Sequence, residues 1–157
     1  MPLLVIERIA PGDGRVSALV RVSDERFMRT SAATGLPERA LELLPGLARH
    51  RCESGHARGI VSELADTESA HLLEHVTLEL MTLAGEPRTT SGRTEWDFAR
   101  DGRGVFRVRI GSGNAAVAEE ALHRAAEVCE WLLTGEGTAP DVAVVANGVR
   151  AAGAAAR

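Results

Sequence analysis

Residues 67–85 place the tightest constraint on this chain, because their apolar side chains and their histidines occupy different sides of one helix. At about 100° per residue, with His71 as origin, Leu72, Leu73, Val76, Leu80, Leu83 and Ala84 fall in a band from about 100° to about 220°. That band is a core stripe. His71, His75 and Thr82 lie opposite it, with Leu78 among them, so the imidazoles are expected to face solvent, a cleft or a neighbouring helix. Thr67 or Asp66 is placed to cap the helix, and Gly85 to end it.

His71-Leu72-Leu73-Glu74-His75 has the H-x-x-E-H order of the inverzincin peptidases. One turn separates the two imidazoles, about 40° apart and roughly 6 Å along the axis, so both reach one ion. Glu74 falls about 60° to the other side of His71, where a carboxylate serves as general base. The pattern points to zinc held by His71 and His75, with water as nucleophile. It is short enough to occur by chance on an amphipathic helix.

A catalytic zinc needs a third protein ligand. Glu79 lies too far along the same helix, roughly 12 Å, and suits a supporting partner better. The second long helix, over about 115–133, is the other source. On its wheel Glu130 and Glu119 border the apolar stripe, and antiparallel packing would bring Glu130 to the His pair; His123 competes with it. Arg93, in Ser91-Gly92-Arg93-Thr94, is a candidate fork for a substrate carboxylate, against an ordinary solvated loop arginine. His50, Cys52 and His56 match no specific ligand spacing.

The remaining pattern predicts an α+β fold in a single domain: an antiparallel sheet from two hairpins, with helices packed on one face. Residues 3–9 and 15–22 read as the first hairpin, and residues 95–99 and 105–110 as the second. Helices are expected over 37–48, which Pro45 and Gly46 cut short, and around 57–64. Residues 1–135 form the domain in this reading; residues 136–157 are an Ala/Gly-rich segment, a loose or fraying helix.

Composition excludes several functions. The net charge of -4 and 3% aromatic residues argue against a nucleic-acid partner. All 18 basic residues are arginine, so there is no lysine for a P-loop or a Schiff base. Neither a signal peptide nor a bilayer-length apolar run is visible, and Cys52 and Cys129 suggest no disulfide framework. A soluble, cytoplasmic protein is expected, with oligomeric state left open.

The segments Arg51-Cys52-Glu53-Ser54-Gly55, His71-Leu72-Leu73-Glu74-His75-Val76-Thr77-Leu78-Glu79-Leu80, Leu83-Ala84-Gly85, Ser91-Gly92-Arg93-Thr94 and Gly104-Val105-Phe106 occur in that order. Together they resemble the N-terminal domain of cyanophycin synthetase, the family that builds a polymer of Asp backbone and Arg side groups. In that family the domain precedes ATP-grasp and Mur-ligase-like modules, and neither is found in these residues. The resemblance implies binding of an Asp/Arg polymer and, in some members, a pitrilysin-like site that cuts it into shorter primers. Three functions follow as expectations: zinc-dependent hydrolysis of peptide or isopeptide bonds, a non-catalytic polymer-binding or scaffolding module, or an accessory subunit of a separate ligase.

Overall fold

In the computed structural model, residues 1–51, 59–88 and 90–157 are described. Strands β1 (Leu4–Gly12) and β2 (Arg15–Val22) form a hairpin around Asp13 and Gly14, where Gly14 takes φ 65°, a left-handed turn conformation. Pro11 and Gly12, expected in the turn, continue β1 and pair with Val16 and Arg15. A short helix follows, α1 (Leu36–Leu43), after which Pro45 starts a 3₁₀ turn, Pro45–Arg49. The helical signal around 57–64 reduces to a 3₁₀ turn, Ile60–Ser62, among the described residues.

Helix α2 (Ser69–Leu83) carries the histidine motif; Gly85 follows it at φ 105°. Glu68 occupies the cap position without a side-chain cap bond. The expected cap residue Thr67 instead pairs its backbone with Thr30 and turns its hydroxyl to His71.

The second hairpin lies upstream of its expected first strand. Strand β3 is Gly92–Glu95, while Phe98–Asp101 is a single helical turn, α3. The Asp97 carboxylate accepts the Arg100 N–H and diverts the backbone from extended geometry. Strand β4 (Val105–Gly111) completes an antiparallel sheet of order β1-β2-β4-β3. Val16, Ala18, Val20 and Val22 of β2, with Phe106, Val108 and Ile110 of β4, are buried on one face.

Helix α4 (Ala115–Thr134) begins at Asn114, whose side chain accepts the N–H groups of Ala116 and Val117. Its buried stripe includes Val117, Ala121, Ala125, Val128 and Leu132, as the periodicity predicts. Helices α2 and α4 pack on each other and on the inner face of the sheet. Residues 142–155 form an ordered helix, α5 (Val142–Ala155), packed on α4 and α2 rather than frayed. Arg150 of α5 donates to the Leu83 and Ala84 carbonyls at the end of α2, placing a cation at a helix C-terminus. Among the described residues, no helix is long and apolar enough to cross a membrane.

The two α5 glycines give opposite predictions. A Cβ at Gly153 would lie 2.4 Å from Val117 Cγ2, whereas one at Gly148 would meet nothing within 4 Å. Gly148→Ala should raise stability by about 0.5–1 kcal/mol through helix propensity. Gly153→Ala should lose more than that gain, since overpacking costs about 1–3 kcal/mol. Urea midpoints of the two variants check the pair; equal shifts would contradict the docking of α5 on α4.

Candidate metal centre

Helix α2 is more enclosed than its wheel implies. Its neighbours are α4, α5, β3, β4 and the Pro45–Arg49 turn, and from Ser69 to Met81 all but His71 are buried. His75, expected away from the core, is 1% exposed; Leu83, expected in the stripe, is 39% exposed. The wheel locates the most apolar side, but the turn at 45–49 covers the other.

Among the described residues, one group of three metal-ligating side chains has ligand atoms within 4.8 Å of one another: His71, Glu74 and His75. The Nε2 atoms of the two histidines face each other at 3.1 Å, and Glu74 Oε1 lies 3.8 Å from His75 Nε2. Ligands at the roughly 2.0–2.2 Å of zinc bonds, in tetrahedral array, lie about 3.3–3.6 Å apart. The donor set therefore fits a zinc ion with a small opening of the histidine pair.

The other ring nitrogens are held from outside. Thr67 Oγ1 lies 2.9 Å from His71 Nδ1 and also donates to Glu68 Oε2 at 3.3 Å. His50 Nδ1 sits 3.1 Å from His75 Nδ1, and His50 Nε2 sits 2.7 Å from Glu79 Oε2. A carboxylate only accepts, so His50 donates its Nε2–H to Glu79. In a neutral His50 the Nδ1 is then an acceptor, and His75 must donate Nδ1–H to it. That leaves the His75 Nε2 lone pair turned toward His71, the tautomer a metal ligand needs.

Both carboxylates depend on a close backbone approach. A Cβ on Gly46 would lie 1.7 Å from Glu79 Oε1, and one on Gly92 would lie 2.7 Å from Glu74 Cγ. Glycine admits the 45–49 turn and strand β3 to these positions. From β3, Thr94 Oγ1 donates to Glu74 Oε2 at 2.6 Å.

Burial keeps the imidazoles neutral. It lowers His71 from the usual histidine range, against the pull of Glu63 and Glu68. His75 is lowered to about 3, first by burial and then by the charges that His71 and His50 would carry. Neutral imidazoles are ready ligands.

Glu130 does not join this group. Its Oε2 accepts the Leu3 N–H at 2.7 Å, tying the start of β1 to α4. An apolar stripe has two borders, and Glu130 lies on the one facing β1. His123 lines the same groove as Glu130, beside Met1 and Pro2, and Glu119 is exposed. Arg93 also points elsewhere. Thr94 pairs with the buried Val108 and reaches Glu74, so its neighbour Arg93, paired with Arg109, lies on the outer sheet face. There Glu95 is 2.7 Å from Arg109 and 4.0 Å from Arg93. Cys52 and His56 lie outside the described residues.

Sequence reasoning weighed His50 only as part of a separate cluster with Cys52 and His56, and missed Thr94 as a site residue. Both reach α2 from elements distant in sequence, and no local spacing marks them. Glu79 is where its spacing places it, away from Glu74, and its partner is His50.

Residues 19–134 match the family described as cyanophycin synthase-like N-terminal domain. The chain is 35% identical over 57 residues to the cyanophycin synthetase of a Synechocystis species, covering 36% of this chain and 6% of that protein. It is 37% identical over 54 residues to the cyanophycin synthetase of Geminocystis herdmanii, covering 34% of this chain and 6% of that protein. The matched stretch is thus a small part of each relative.

The lowered His75 predicts a pH-dependent stability. An unfolded histidine titrates near 6.5 and the folded one near 3, so the unfolded chain binds the extra proton between these values. The contribution is complete above about 6.5 and is lost as pH falls toward 3. Urea midpoints of chelator-treated protein should fall over this window, with a shallower slope in His75→Gln. Identical slopes would contradict a buried neutral His75.

Proposed function

Because the chain belongs to the cyanophycin synthase-like N-terminal domain family, we propose that it is a zinc-dependent hydrolase of peptide or isopeptide bonds in an Asp/Arg polymer. The observation that carries this reading is the convergence of His71 Nε2, His75 Nε2 and the Glu74 carboxylate on one point. The substrate follows from the names of the relatives, both cyanophycin synthetases.

In this mechanism His71 and His75 would hold a zinc ion through Nε2, each ring being oriented by its Nδ1 contact to Thr67 or His50. The chemistry such an ion supplies is Lewis acidity and a lowered water pKa, to about 7. Glu74 is the general base. Thr94 holds its Oε2, which turns Oε1 toward the imidazoles, where it accepts a proton from the attacking water. The same carboxyl returns that proton to the departing amine. Half-buried His71 marks the side from which substrate approaches, since Glu74 and His75 are buried.

One observation favours a second reading, a binding module without hydrolysis. Among the described residues, α4 adds no ligand atom to the group. If Glu74 serves as base, two imidazoles remain as protein ligands among the described residues.

Zinc content and cleavage separate the readings. Protein purified without added metal should carry about one zinc per chain, and His71→Ala/His75→Ala should lose it with little change in circular dichroism. Glu74→Gln should retain zinc while hydrolysis of an Asp/Arg polymer falls by roughly 10²-fold or more. Zinc lost together with activity in Glu74→Gln would make Glu74 a ligand. Polymer bound but not shortened by zinc-loaded wild-type protein would establish the binding module.

A further inference from the structure

Strand β1 is an outer strand of the sheet, so one of its edges has no neighbouring strand among the described residues. The Val22 N–H turns away from it, to the carbonyl of Gly104, which precedes β4. In an antiparallel ladder Leu4, opposite Val22, and Ile6, two residues on, therefore direct their own N–H and C=O groups to the open edge. Such an edge invites a further strand, and proteins commonly blunt it. Here the blunting is partial. The register slips between Ile6 and Arg8, where Glu7 bulges out, and Pro11 has no N–H to offer. From Glu7 onward the edge is interrupted; from Leu4 to Ile6 it is open. The opposite outer strand, β3, has only four residues and carries Arg93 and Glu95.

The open stretch runs along a groove of about 630 Å³ between β1 and α4. Leu4 and Ile6 belong to one wall, and Ala126, His123, Glu127 and Glu130 form the other. These four α4 positions span about 100° of its wheel and so make a single face. Glu130 gives its Oε2 to the Leu3 N–H, and Glu127 makes one contact of 3.3 Å to Arg124. A carboxylate offers about four acceptor sites, so both retain most of theirs. No arginine lines this groove, whereas the recesses around Arg51 and around Arg8 are each lined by three.

We propose that this groove docks an extended basic segment of a partner protein, which adds to the sheet as a fifth strand beside β1. In this mode main-chain bonds supply affinity, and pockets for alternate side chains supply specificity. The residues of the added strand opposite Leu4 and Ile6 point, like them, toward α4, while the residue between points to solvent. Lys or Arg suits the two inward positions. Its aliphatic stem lies along Leu4, Ile6 and Ala126, and its cation reaches Glu127 or Glu130. The same carboxylates repel nucleic acid and anionic lipid. A second copy of β1 would bring Leu4 and Ile6 to the inward positions and leave the carboxylates unanswered. None of His71, Glu74 and His75 lines the groove, so the docking is independent of the hydrolase reading.

Calorimetric titration of the full chain with acetyl-Thr-Arg-Thr-Arg-Thr-amide tests the docking. The peptide should bind, and hydrogen exchange of the Leu4 and Ile6 amides should slow when it does. The same peptide with Glu in place of Arg should not bind. N-methylation of its two arginine amides keeps the charge but removes the strand donors, and should abolish binding to the unaltered protein. Glu127→Gln/Glu130→Gln leaves an amide oxygen at position 130 to accept the Leu3 N–H, and should weaken binding at least about 10-fold, as expected when charged hydrogen bonds are lost. Glu42→Gln, at an exposed position on α1, should leave affinity unchanged. Absence of binding, undiminished affinity after N-methylation, or unprotected Leu4 and Ile6 amides would overturn the proposal. Displacement of the peptide by an Asp/Arg polymer, or by self-association of the protein at high concentration, would give the groove to that occupant and overturn it equally.

Discussion

Helix α2 is enclosed on nearly every side, and the ionisable groups it carries inward persist there only because each has a partner. Leaving a buried polar group unsatisfied costs about 1–3 kcal/mol, and more for a charge. Glu79 is answered by His50 and Arg88, His75 by His50, His71 by Thr67, and Glu74 by Thr94. These contacts run from Arg88 to His75 and from His71 to Thr67, and the two Nε2 atoms face each other at 3.1 Å between them. Folding and site geometry are therefore the same problem: the contacts that allow α2 to be buried also set the tautomers and orientations of its histidines.

The surrounding elements are arranged around this demand. Strand β3 lies at the sheet edge, next to α2, and brings Thr94 to Glu74 while Gly92 lets its backbone come close. On the other side the Pro45–Arg49 turn lays Gly46 against Glu79 and leads into His50. Two glycines in unrelated segments thus serve the two carboxylates. Helix α5 closes the end of α2 through Arg150 and leaves the histidines untouched.

Much of this was legible locally. The strand over 15–22, the long helix over about 115–133 and the breaking of α1 before Pro45 depend on neighbours within a few residues, and they appear where the pattern places them. The first strand of the second hairpin was misplaced because residues 95–99 resemble a strand in composition, while a single carboxylate, Asp97, turns them into a helical cap. The α5 segment read as loose because its glycines lower helix propensity; packing of Val149 and Gly153 against the rest of the fold overrides that. The burial of His75 was also illegible, since His50, which reaches it, follows an irregular turn without periodicity.

The sequence by itself determined the relation of His71, Glu74 and His75, because helix geometry sets the spacing of residues three and four apart whatever surrounds them. It determined the apolar stripes and the two-hairpin sheet by the same short-range periodicity. Only the tertiary structure decided which side of a stripe a bordering residue faces, and so that Glu130 ties down Leu3 while His50 reaches His75. The wheel of a single helix records an angle about its own axis and carries no information about which neighbour occupies that direction. The partners of α2 come from loops and an edge strand, and the close approach of those backbones, at Gly46 and Gly92, exists only once the chain has folded.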